Sequence, residues 1–204
     1  MKTSRKPGGS AAESRILAAA TQHVRDHGLH RLAIVHLASE LGMSHANIYR
    51  YFASKEALID ALTTQWLKPL EAQLHIIGDG PDPAYDKLER LLISLHQAYR
   101  EKLDSDALIF TLFAEAVSTN REATRRHRLR VQSEIQRVVD EGLASGLFAI
   151  GDQRRALALV YDVMHRFIHP ICLQMDRDTS RPAINARMDR VIKLLLRALQ
   201  TGRM

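Results

Sequence analysis

The stretch that decides the fold of this chain is residues 37–52, which read LASELGMSHANIYRYF. Two short helices that cross steeply need a small residue at the crossing, a tight turn and apolar side chains at fixed offsets. Ala38 supplies the small residue, Gly42 can take the positive φ of the turn, and Ile48 can anchor the second helix. Three apolar residues fill the space between them: Leu37, Leu41 and Met43. This spacing predicts a helix-turn-helix whose second helix is capped by Ser44.

The second helix of this motif carries polar side chains on its outward face. They are Ser44, His45, Asn47, Tyr49, Arg50 and Tyr51. Such a helix enters the major groove of DNA with its N-terminal residues at the base edges, where Asn pairs with adenine and Arg with guanine or a phosphate. Tyrosine hydroxyls and Lys55, near the start of the next helix, suit phosphate oxygens. The alternative for Tyr49 or Tyr51 is half-buried packing, and for His45 it is simple solvation.

The motif resembles that of the TetR family of transcriptional regulators over roughly residues 12–60. The positions that carry the resemblance are Gly28, Leu37-Ala38, Leu41-Gly42, Ser44, Ile48-Tyr49, Tyr51-Phe52, Lys55 and Leu58. The resemblance implies DNA contacts from Ser44, His45, Ala46, Asn47, Tyr49, Arg50, Tyr51 and Lys55. One departure is that Leu32 and Ala33 stand where the family usually has threonine or serine. Their presence removes a side-chain N-cap worth roughly 1 kcal/mol.

Helical spacing of apolar residues extends over nearly the whole chain, which predicts an all-α protein. The short motif helices are expected near 34–41 and 44–51, and later helices near 83–103, 106–118, 121–144, 152–176 and 182–201. Ser10 and Glu13 form a capping-box pattern for the first helix. Ser54 is expected to cap the helix after the motif, and Pro69 to kink it.

Three functional segments follow from this pattern. Residues 1–9 are interpreted as a flexible basic arm, residues 10–60 as a three-helix helix-turn-helix DNA-binding domain, and residues 61–204 as a helical regulatory domain for ligand binding and dimerisation. The strongest break in the chain is residues 78–83, GDGPDP, which is expected to join the small N-terminal unit to the larger C-terminal one.

Composition indicates an intracellular protein rather than a secreted or membrane protein. The 204 residues carry a net charge of +6, which is compatible with a nucleic-acid partner. Cys172 is the single cysteine, so an intramolecular disulfide is excluded and a reducing cytoplasm fits. A run of eighteen apolar residues and a signal peptide are both missing from the sequence, so no membrane association is expected. Nucleophile–base pairs and phosphate loops with convincing spacing are also missing, so neither enzymatic activity nor a cofactor is expected.

The C-terminal helix carries an apolar stripe that favours dimerisation. Its residues are Ile184, Met188, Val191, Ile192, Leu195 and Leu199. The family resemblance implies that the last two long helices pair with those of a second subunit, and a stripe this apolar is costly to leave in water. The alternative is a core role within one chain.

One cluster on the expected 152–176 helix has the composition of a metal site. His165 and His169 are spaced i, i+4 and Cys172 follows a turn later, a ligand set that zinc accepts. The alternative is that these residues line a polar edge of a dimer interface or of a ligand pocket, and Pro170 is expected to bend the helix there.

The family resemblance also implies a pocket for a small organic effector. Aromatic or polar groups on otherwise apolar helix faces are the candidates for its wall: Trp66, His96, Tyr99, Phe110, Phe113, Tyr161, His165 and His169. Each residue taken alone also fits plain core packing.

The sequence therefore predicts a homodimeric transcriptional regulator that binds a double-stranded DNA operator, a repressor released by a small-molecule effector. Two alternatives remain open. One is a metal-responsive regulator that uses His165, His169 and Cys172. The other is a helical interaction module that keeps the motif without binding DNA.

Overall fold

The computed structural model describes residues 7–203, with side chains from residue 11 onward, and this part of the chain is helical without strands. Ten α-helices follow one another: α1 (Pro7–His27), α2 (Ile34–Glu40), α3 (His45–Tyr49), α4 (Lys55–Asp79), α5 (Ala84–Ser105), α6 (Ala107–Ser118), α7 (Glu122–Ala144), α8 (Gln153–Ile168), α9 (Pro170–Met175) and α10 (Arg181–Thr201). A short 3₁₀ turn (Leu29–Arg31) separates α1 from α2. The predicted all-α class is confirmed.

The start of α1 differs from the predicted capping box. The described part of the helix begins at Pro7, so the backbone of Ser10 lies inside it and not at an N-cap position, while the Ser10 side chain is outside the described part of the chain. Proline is favoured in a first helical turn because the N–H group it lacks has no intrahelical acceptor there. The predicted flexible arm overlaps this helix at residues 7–9, and its remaining part, residues 1–6, lies outside the described residues.

The described chain forms two compact units. The first contains the residues up to Trp66 together with residues 106–125, and the second contains residues 67–105 and 126 onward. The first unit is therefore larger than the predicted 10–60 segment, because Ile109 and Leu112 of α6 join the same apolar core as α1 to α4. The change from one unit to the other falls inside α4. The GDGPDP run is consequently a turn within the second unit, not the joint that was expected.

The core of the first unit is built from one face of each helix. Its fully buried members include Ile16, Ala20 and Val24 from α1, Leu37 and Ala38 from α2, Ile48 from α3, and Leu58 from α4. Two ion pairs fix the later segment to the earlier helices. Arg25 donates to Asp106 (2.6 and 2.8 Å), and Arg121 donates to Asp60 (3.0 Å) and to the Glu56 carbonyl (2.6 Å).

The second unit packs α8 against both α5 and α10. The expected helix over 152–176 is broken into α8 and α9, because proline excludes helical backbone at the preceding residue. His169 is extended (φ −90°, ψ 123°), and Pro170 begins α9. The α9–α10 turn is held by Arg100, a 5%-exposed residue that donates to the carbonyls of Asp176, Arg177 and Thr179.

The apolar stripe of α10 serves the core of its own chain. Ile184, Met188, Ile192, Leu195 and Leu199 are each at most 3% exposed within one protomer. The interpretation of this stripe as the dimer surface is therefore wrong, because α5 and α8 already cover it. Large apolar side chains that stay exposed on α9 and α10 are Ile171, Met175 and Leu194.

One segment, Gln153–Met175, is long and apolar enough by length and composition to cross a membrane. It was not recognised in the sequence because charged residues interrupt its apolar run. The structure divides it between α8 and α9, and α8 packs on α5 and α10 within the second unit. The core helix of a soluble protein can also be this long and this apolar, so the segment is only weak evidence for a membrane span.

The turn between α2 and α3 supplies a test of the fold. Gly42 has φ +62°, and a Cβ added there would meet nothing within 4 Å. Gly42→Ala is therefore expected to lose about 1 kcal/mol of unfolding free energy through backbone strain alone. Gly151→Ala is the matched control, since its site is equally open and lacks a positive φ. Urea unfolding followed by fluorescence of Trp66, the single tryptophan, measures both. Equal stability of the two variants would contradict the assigned turn.

Candidate DNA-binding surface and effector residues

The helix-turn-helix geometry comes from a close crossing of α2 and α3. The Met43 N–H donates to the Ala38 carbonyl (2.9 Å) and the Gly42 N–H donates to the Ser39 carbonyl (3.2 Å), which closes the turn. Ala38 is 1% exposed and Ile48 is fully buried. The predicted roles of the small residue, the turn glycine and the apolar anchor are confirmed.

The start of α3 is capped by a serine side chain. Ser44 has extended backbone (φ −76°, ψ 152°), and its Oγ accepts a hydrogen bond from the Asn47 N–H at 3.2 Å. Ser54 caps α4 in the same way, accepting from the Ala57 N–H at 3.1 Å. The start of α2 has no such cap, because Ala33 occupies the N-cap position and Leu32 is buried in the core. The structure thus confirms the predicted caps at Ser44 and Ser54 and the predicted lack of a side-chain cap at the start of α2.

The candidate DNA-contacting residues form one partly exposed surface around α3. Ser44, His45, Ala46, Tyr49 and Arg50 are exposed, whereas Asn47, Tyr51 and Lys55 are half-buried. The helix is shorter than the expected 44–51, since it ends at Tyr49 and Arg50 is its C-cap.

Two of these residues pack on one another after the helix ends. Arg50 lies over the ring of Tyr51, with its guanidinium carbon 5.8 Å from the ring centroid. Tyr51 packs against the core of the first unit, as the alternative interpretation of this residue anticipated. The side chains of Asn47 and Lys55 have no hydrogen-bond partner among the described residues, so both remain available to a ligand outside the chain.

The predicted effector residues fall into two groups. Trp66, Phe110 and Phe113 form an aromatic cluster in the first unit, with ring centroids 5.5 to 6.0 Å apart. The other five lie in the second unit: His96, Tyr99, Tyr161, His165 and His169. His96 and Tyr99 belong to α5, while Tyr161 and His165 belong to α8 and His169 follows it.

Tyr99 belongs to a buried polar chain that sequence reasoning did not find. The Tyr99 hydroxyl lies 2.6 Å from Nε2 of His127, and Nδ1 of His127 lies 2.9 Å from a carboxylate oxygen of Glu71. A carboxylate only accepts, so Nδ1 of His127 carries the proton that it donates to Glu71. Arg130 also donates to Glu71. Residues 71, 99 and 127 are far apart in sequence, which left no local signal.

The pKa values of two residues in this hydrogen-bonded group, Tyr99 and Glu71, are shifted. Burial, followed by the negative charge of Glu71, raises the pKa of Tyr99 above its ordinary range. Burial of Glu71 opposes its ionisation, but the hydrogen bond and charge of His127 together with Arg130 outweigh burial and lower the pKa of Glu71. Glu71 is thus ionised at neutral pH.

Three members of the predicted set keep a buried polar atom without a hydrogen-bond partner among the described residues. They are the Tyr161 hydroxyl, Nδ1 of His169 and Nε2 of His96. Burial raises the pKa of Tyr161 to about 12, so its hydroxyl keeps its proton at neutral pH. Burial, with a contribution from His165, lowers the pKa of His169. Native proteins satisfy nearly all buried polar groups, so such atoms indicate a partner outside the chain, either water or a ligand.

His96 is more nearly satisfied. Its Nδ1 lies 2.8 Å from the Phe167 carbonyl. Burial is the main cause that lowers its pKa, the charge of Arg100 adds to this, and the Phe167 carbonyl and the Asn185 side chain oppose it.

A metal-type donor set also comes together in the second unit. One ligand atom from each of His165, His169 and Cys172 lies within 4.8 Å of the others. His165, His169 and Cys172 are therefore close together, as predicted for one unbroken helix, although the helix is broken at Pro170. Among the groups of His, Cys, Asp and Glu in the described residues, this is the one whose donor atoms converge in this way.

The fold and the exposed α3 surface define a helix-turn-helix DNA-binding protein with a helical C-terminal unit. Residues 16–62 match the family model of bacterial regulatory proteins, tetR family, and residues 84–192 match the tetracyclin repressor-like C-terminal domain. These matches cover more than half of the chain, and the chain belongs to the TetR family. It is a DNA-binding transcriptional regulator. Regulators of this family act as dimers and are generally without enzymatic activity.

Individual relatives are more distant. The nucleoid occlusion factor SlmA of Yersinia pseudotuberculosis is 26% identical over 171 residues, which cover 79% of this chain and 86% of that protein. SlmA of Photorhabdus laumondii is 28% identical over 116 residues, 56% of this chain and 58% of its own length. The chain thus spans little more than half of the Photorhabdus relative.

Solved structures share the fold at low sequence identity. A protein of unknown function from Rhodococcus sp. RHA1 superposes with a TM-score of 0.68 at 20% identity, covering 92% of this chain and 95% of that one. RolR in complex with resorcinol gives a TM-score of 0.62 at 16% identity, covering 96% and 90%.

The lowered pKa of Glu71 yields a test with a defined pH dependence. The ionised carboxylate is favoured by folding, so its contribution is present above the ordinary pKa of 4.5 and is lost as pH falls through the lower folded-state value. Glu71→Gln is expected to cost about 1–2 kcal/mol of unfolding free energy at pH 7 and almost nothing near pH 3.

Urea unfolding between pH 3 and 7 measures this difference. Glu101→Gln is the control, because Glu101 is exposed on α5 and should change stability by less than about 0.5 kcal/mol. A loss at Glu71 that stayed constant with pH would rule out the ionised interaction.

Proposed function

We propose that this chain is a homodimeric repressor that binds a pseudo-palindromic DNA operator through α3 and is released by a small-molecule effector in its second unit. The observation that carries the proposal is the outward face of α3, where Ser44, His45, Ala46, Tyr49 and Arg50 are exposed while Ile48 anchors the helix in the core. A residue held in this way on a rigid element can reach a base edge with little loss of conformational entropy.

The contacts proposed for this surface follow from its side chains. Asn47 is the third residue of α3, and its side-chain amide can pair with adenine in the major groove. Arg50 suits guanine or a phosphate, and the Tyr49 hydroxyl suits a phosphate. Lys55 begins α4, where a phosphate would also meet the positive end of that long helix. Ser44, His45, Ala46 and Tyr51 complete the proposed contact surface.

Dimerisation is proposed because one helix-turn-helix makes too few contacts for a specific site, whereas a two-fold dimer reads two half-sites roughly 34 Å apart. The exposed apolar side chains of Ile171, Met175 and Leu194 are the candidates for the surface that the second copy covers. This assignment replaces the buried stripe of α10.

The effector is proposed to bind in the second unit, at Tyr161 and His169. Their unpartnered buried atoms can give and accept hydrogen bonds, while neighbouring positions of α8 are apolar. A small organic molecule with a hydroxyl or carbonyl group can pair with either atom. His169 is also a ligand of the metal site proposed below, so the effector proposal rests on Tyr161. RolR, whose structure holds resorcinol, is a fold relative with such a ligand. His96, Tyr99 and His165 remain candidate pocket residues in the second unit, whereas the aromatic cluster of Trp66, Phe110 and Phe113 lies in the first unit and stays a separate candidate.

Release follows from a population shift between two conformers. The effector binds more tightly to the conformer whose recognition helices are wrongly spaced for successive major grooves, and its greatest possible effect equals its difference in affinity for the two conformers. The proposal includes a cytoplasmic location, no membrane partner and no catalytic step.

The DNA contacts are tested by footprinting genomic fragments and titrating salt. We expect a protected pseudo-palindrome. Asn47→Ala should lose about 1–3 kcal/mol of binding free energy and relax specificity at one adenine of each half-site. Lys55→Ala should weaken binding to all sequences alike and reduce the salt slope by about 1 for each half-site.

Two exposed residues away from α3 serve as controls, Gln22→Ala for the amide and Lys68→Ala for the ammonium group. Both should bind like the parent protein. Unchanged affinity in Tyr49→Phe and Arg50→Ala as well as in Asn47→Ala would instead favour a helical interaction module that does not use this surface.

The effector site is tested by comparing two tyrosines. Tyr161→Phe removes a hydroxyl without a protein partner, so stability should not fall, but the effector concentration that half-releases the operator should rise about tenfold. Tyr99→Phe breaks the hydrogen bond to His127 and should cost about 1 kcal/mol of stability. The compounds used are those that release the parent protein from its operator in a screen of small phenols and carboxylic acids. An unchanged response in Tyr161→Phe would exclude Tyr161 from the site.

A further inference from the structure

The break between α8 and α9 brings three strong metal-ligand types to one place. His165 lies in the last turn of α8, His169 is the residue between the helices, and Cys172 lies in the first turn of α9. Their ligand atoms are all within 4.8 Å of one another. The two imidazole rings are stacked, with centroids 4.8 Å apart and planes at 26°.

These distances are close to those that a tetrahedral zinc ion requires. Zinc–nitrogen bonds near 2.0–2.1 Å and zinc–sulfur bonds near 2.3 Å place neighbouring ligand atoms about 3.3–3.7 Å apart. Each pair therefore needs to approach by at most about 1.5 Å. Two imidazoles and a thiolate form a donor set that zinc accepts and that magnesium or calcium does not favour.

The backbone around the three residues is already held in position. The His169 N–H donates to the His165 carbonyl at 2.9 Å, the Leu173 N–H to the His169 carbonyl at 3.1 Å, and the Asp176 N–H to the Cys172 carbonyl at 3.1 Å. Pro170 fixes φ at the junction of the two helices. Metal binding would thus order side chains only, at a small cost in conformational entropy.

The donor atoms are also available. Nδ1 of His169 is buried and makes no hydrogen bond, and Cys172 is a free, half-buried thiol. Buried polar atoms in native proteins nearly always have a hydrogen-bond partner, so the unpartnered Nδ1 of His169 favours a bound ligand at this cluster.

We propose that His165, His169 and Cys172 form a zinc site in the second unit, with water or an exogenous ligand in the fourth position. Binding releases the thiol proton of Cys172, since zinc takes the thiolate. This site is separate from the DNA-binding surface, and the proposal holds whether or not the α3 contacts are as described above.

Cobalt(II) is a direct probe, because a cobalt–thiolate bond gives a charge-transfer absorption in the near ultraviolet. The chain has one cysteine, so this absorption can come from Cys172 alone. We expect one cobalt ion per chain in the full-length protein, with a charge-transfer band that zinc removes by displacement. Cys172→Ser should abolish the band, and the double variant His165→Ala, His169→Ala should abolish stoichiometric binding.

His27→Ala is the matched control, because His23 and His27 form another i, i+4 pair with ring centroids 4.8 Å apart. It should keep both the stoichiometry and the band. Parent protein that binds cobalt without a thiolate band, or with a band that survives in Cys172→Ser, would overturn the proposal.

Alkylation of Cys172 in the parent protein is a second test, and it needs no variant that could fail to fold. Zinc should slow alkylation of Cys172 in the parent protein by about tenfold or more, since the metal-bound thiolate is shielded from the reagent. The alkylation rate of the urea-unfolded chain should be almost unaffected by the same zinc concentration. Equal rates with and without zinc in the folded protein would overturn the proposal.

Discussion

The DNA-binding unit depends on how closely α2 and α3 can approach one another. A side chain larger than alanine at position 38 would separate the helices, and a non-glycine residue at position 42 would be strained at φ +62°. With both conditions met, Ile48 is fully buried and the short α3 is anchored although five residues are far too few for a stable isolated helix. Tertiary packing, rather than helix propensity, therefore holds the residues that are proposed to face DNA.

The same unit includes a segment that is distant in sequence. Residues 106–125 belong to it through the apolar side chains of α6 and through the ion pairs of Arg25 with Asp106 and of Arg121 with Asp60. Helices α4 and α7 each begin in this unit and continue into the second. The chain also crosses between the units at residues 105 and 106, where α5 ends, so α4 and α7 are the two of its three crossings that run through a continuous helix.

The polar groups of the second unit differ in how completely the protein satisfies them. The chain of Tyr99, His127 and Glu71 has its hydrogen bonds within the protein, and the terminal NH groups of Arg100 are bonded to three carbonyls although its Nε has no hydrogen-bond partner, so these residues stabilise and orient the helices. The Tyr161 hydroxyl and Nδ1 of His169 have no hydrogen-bond partner among the described residues. The contrast separates structural polar residues from those that are suited to an external partner, which residue type alone does not reveal.

Local patterns in the sequence were sufficient for the helical class, the helix-turn-helix and its caps, because turns, caps and apolar spacing act over a few residues. Ser44, Gly42 and Ser54 all have their predicted roles. The Ser10 cap failed because Pro7 starts the helix earlier, and the GDGPDP joint failed because a strong local break carries no information about which helices pack together.

Only the tertiary structure decided which apolar and polar groups have partners. The α10 stripe has the pattern of an exposed interface, but α5 and α8 cover it, and those helices lie far away in sequence. The pairing of Tyr99 with His127 and Glu71 likewise joins three helices without a shared motif. By itself the sequence determined the family, the recognition helix and the residues that could carry chemistry. The tertiary structure decided which of them are already satisfied, because burial and hydrogen bonding depend on contacts between distant segments.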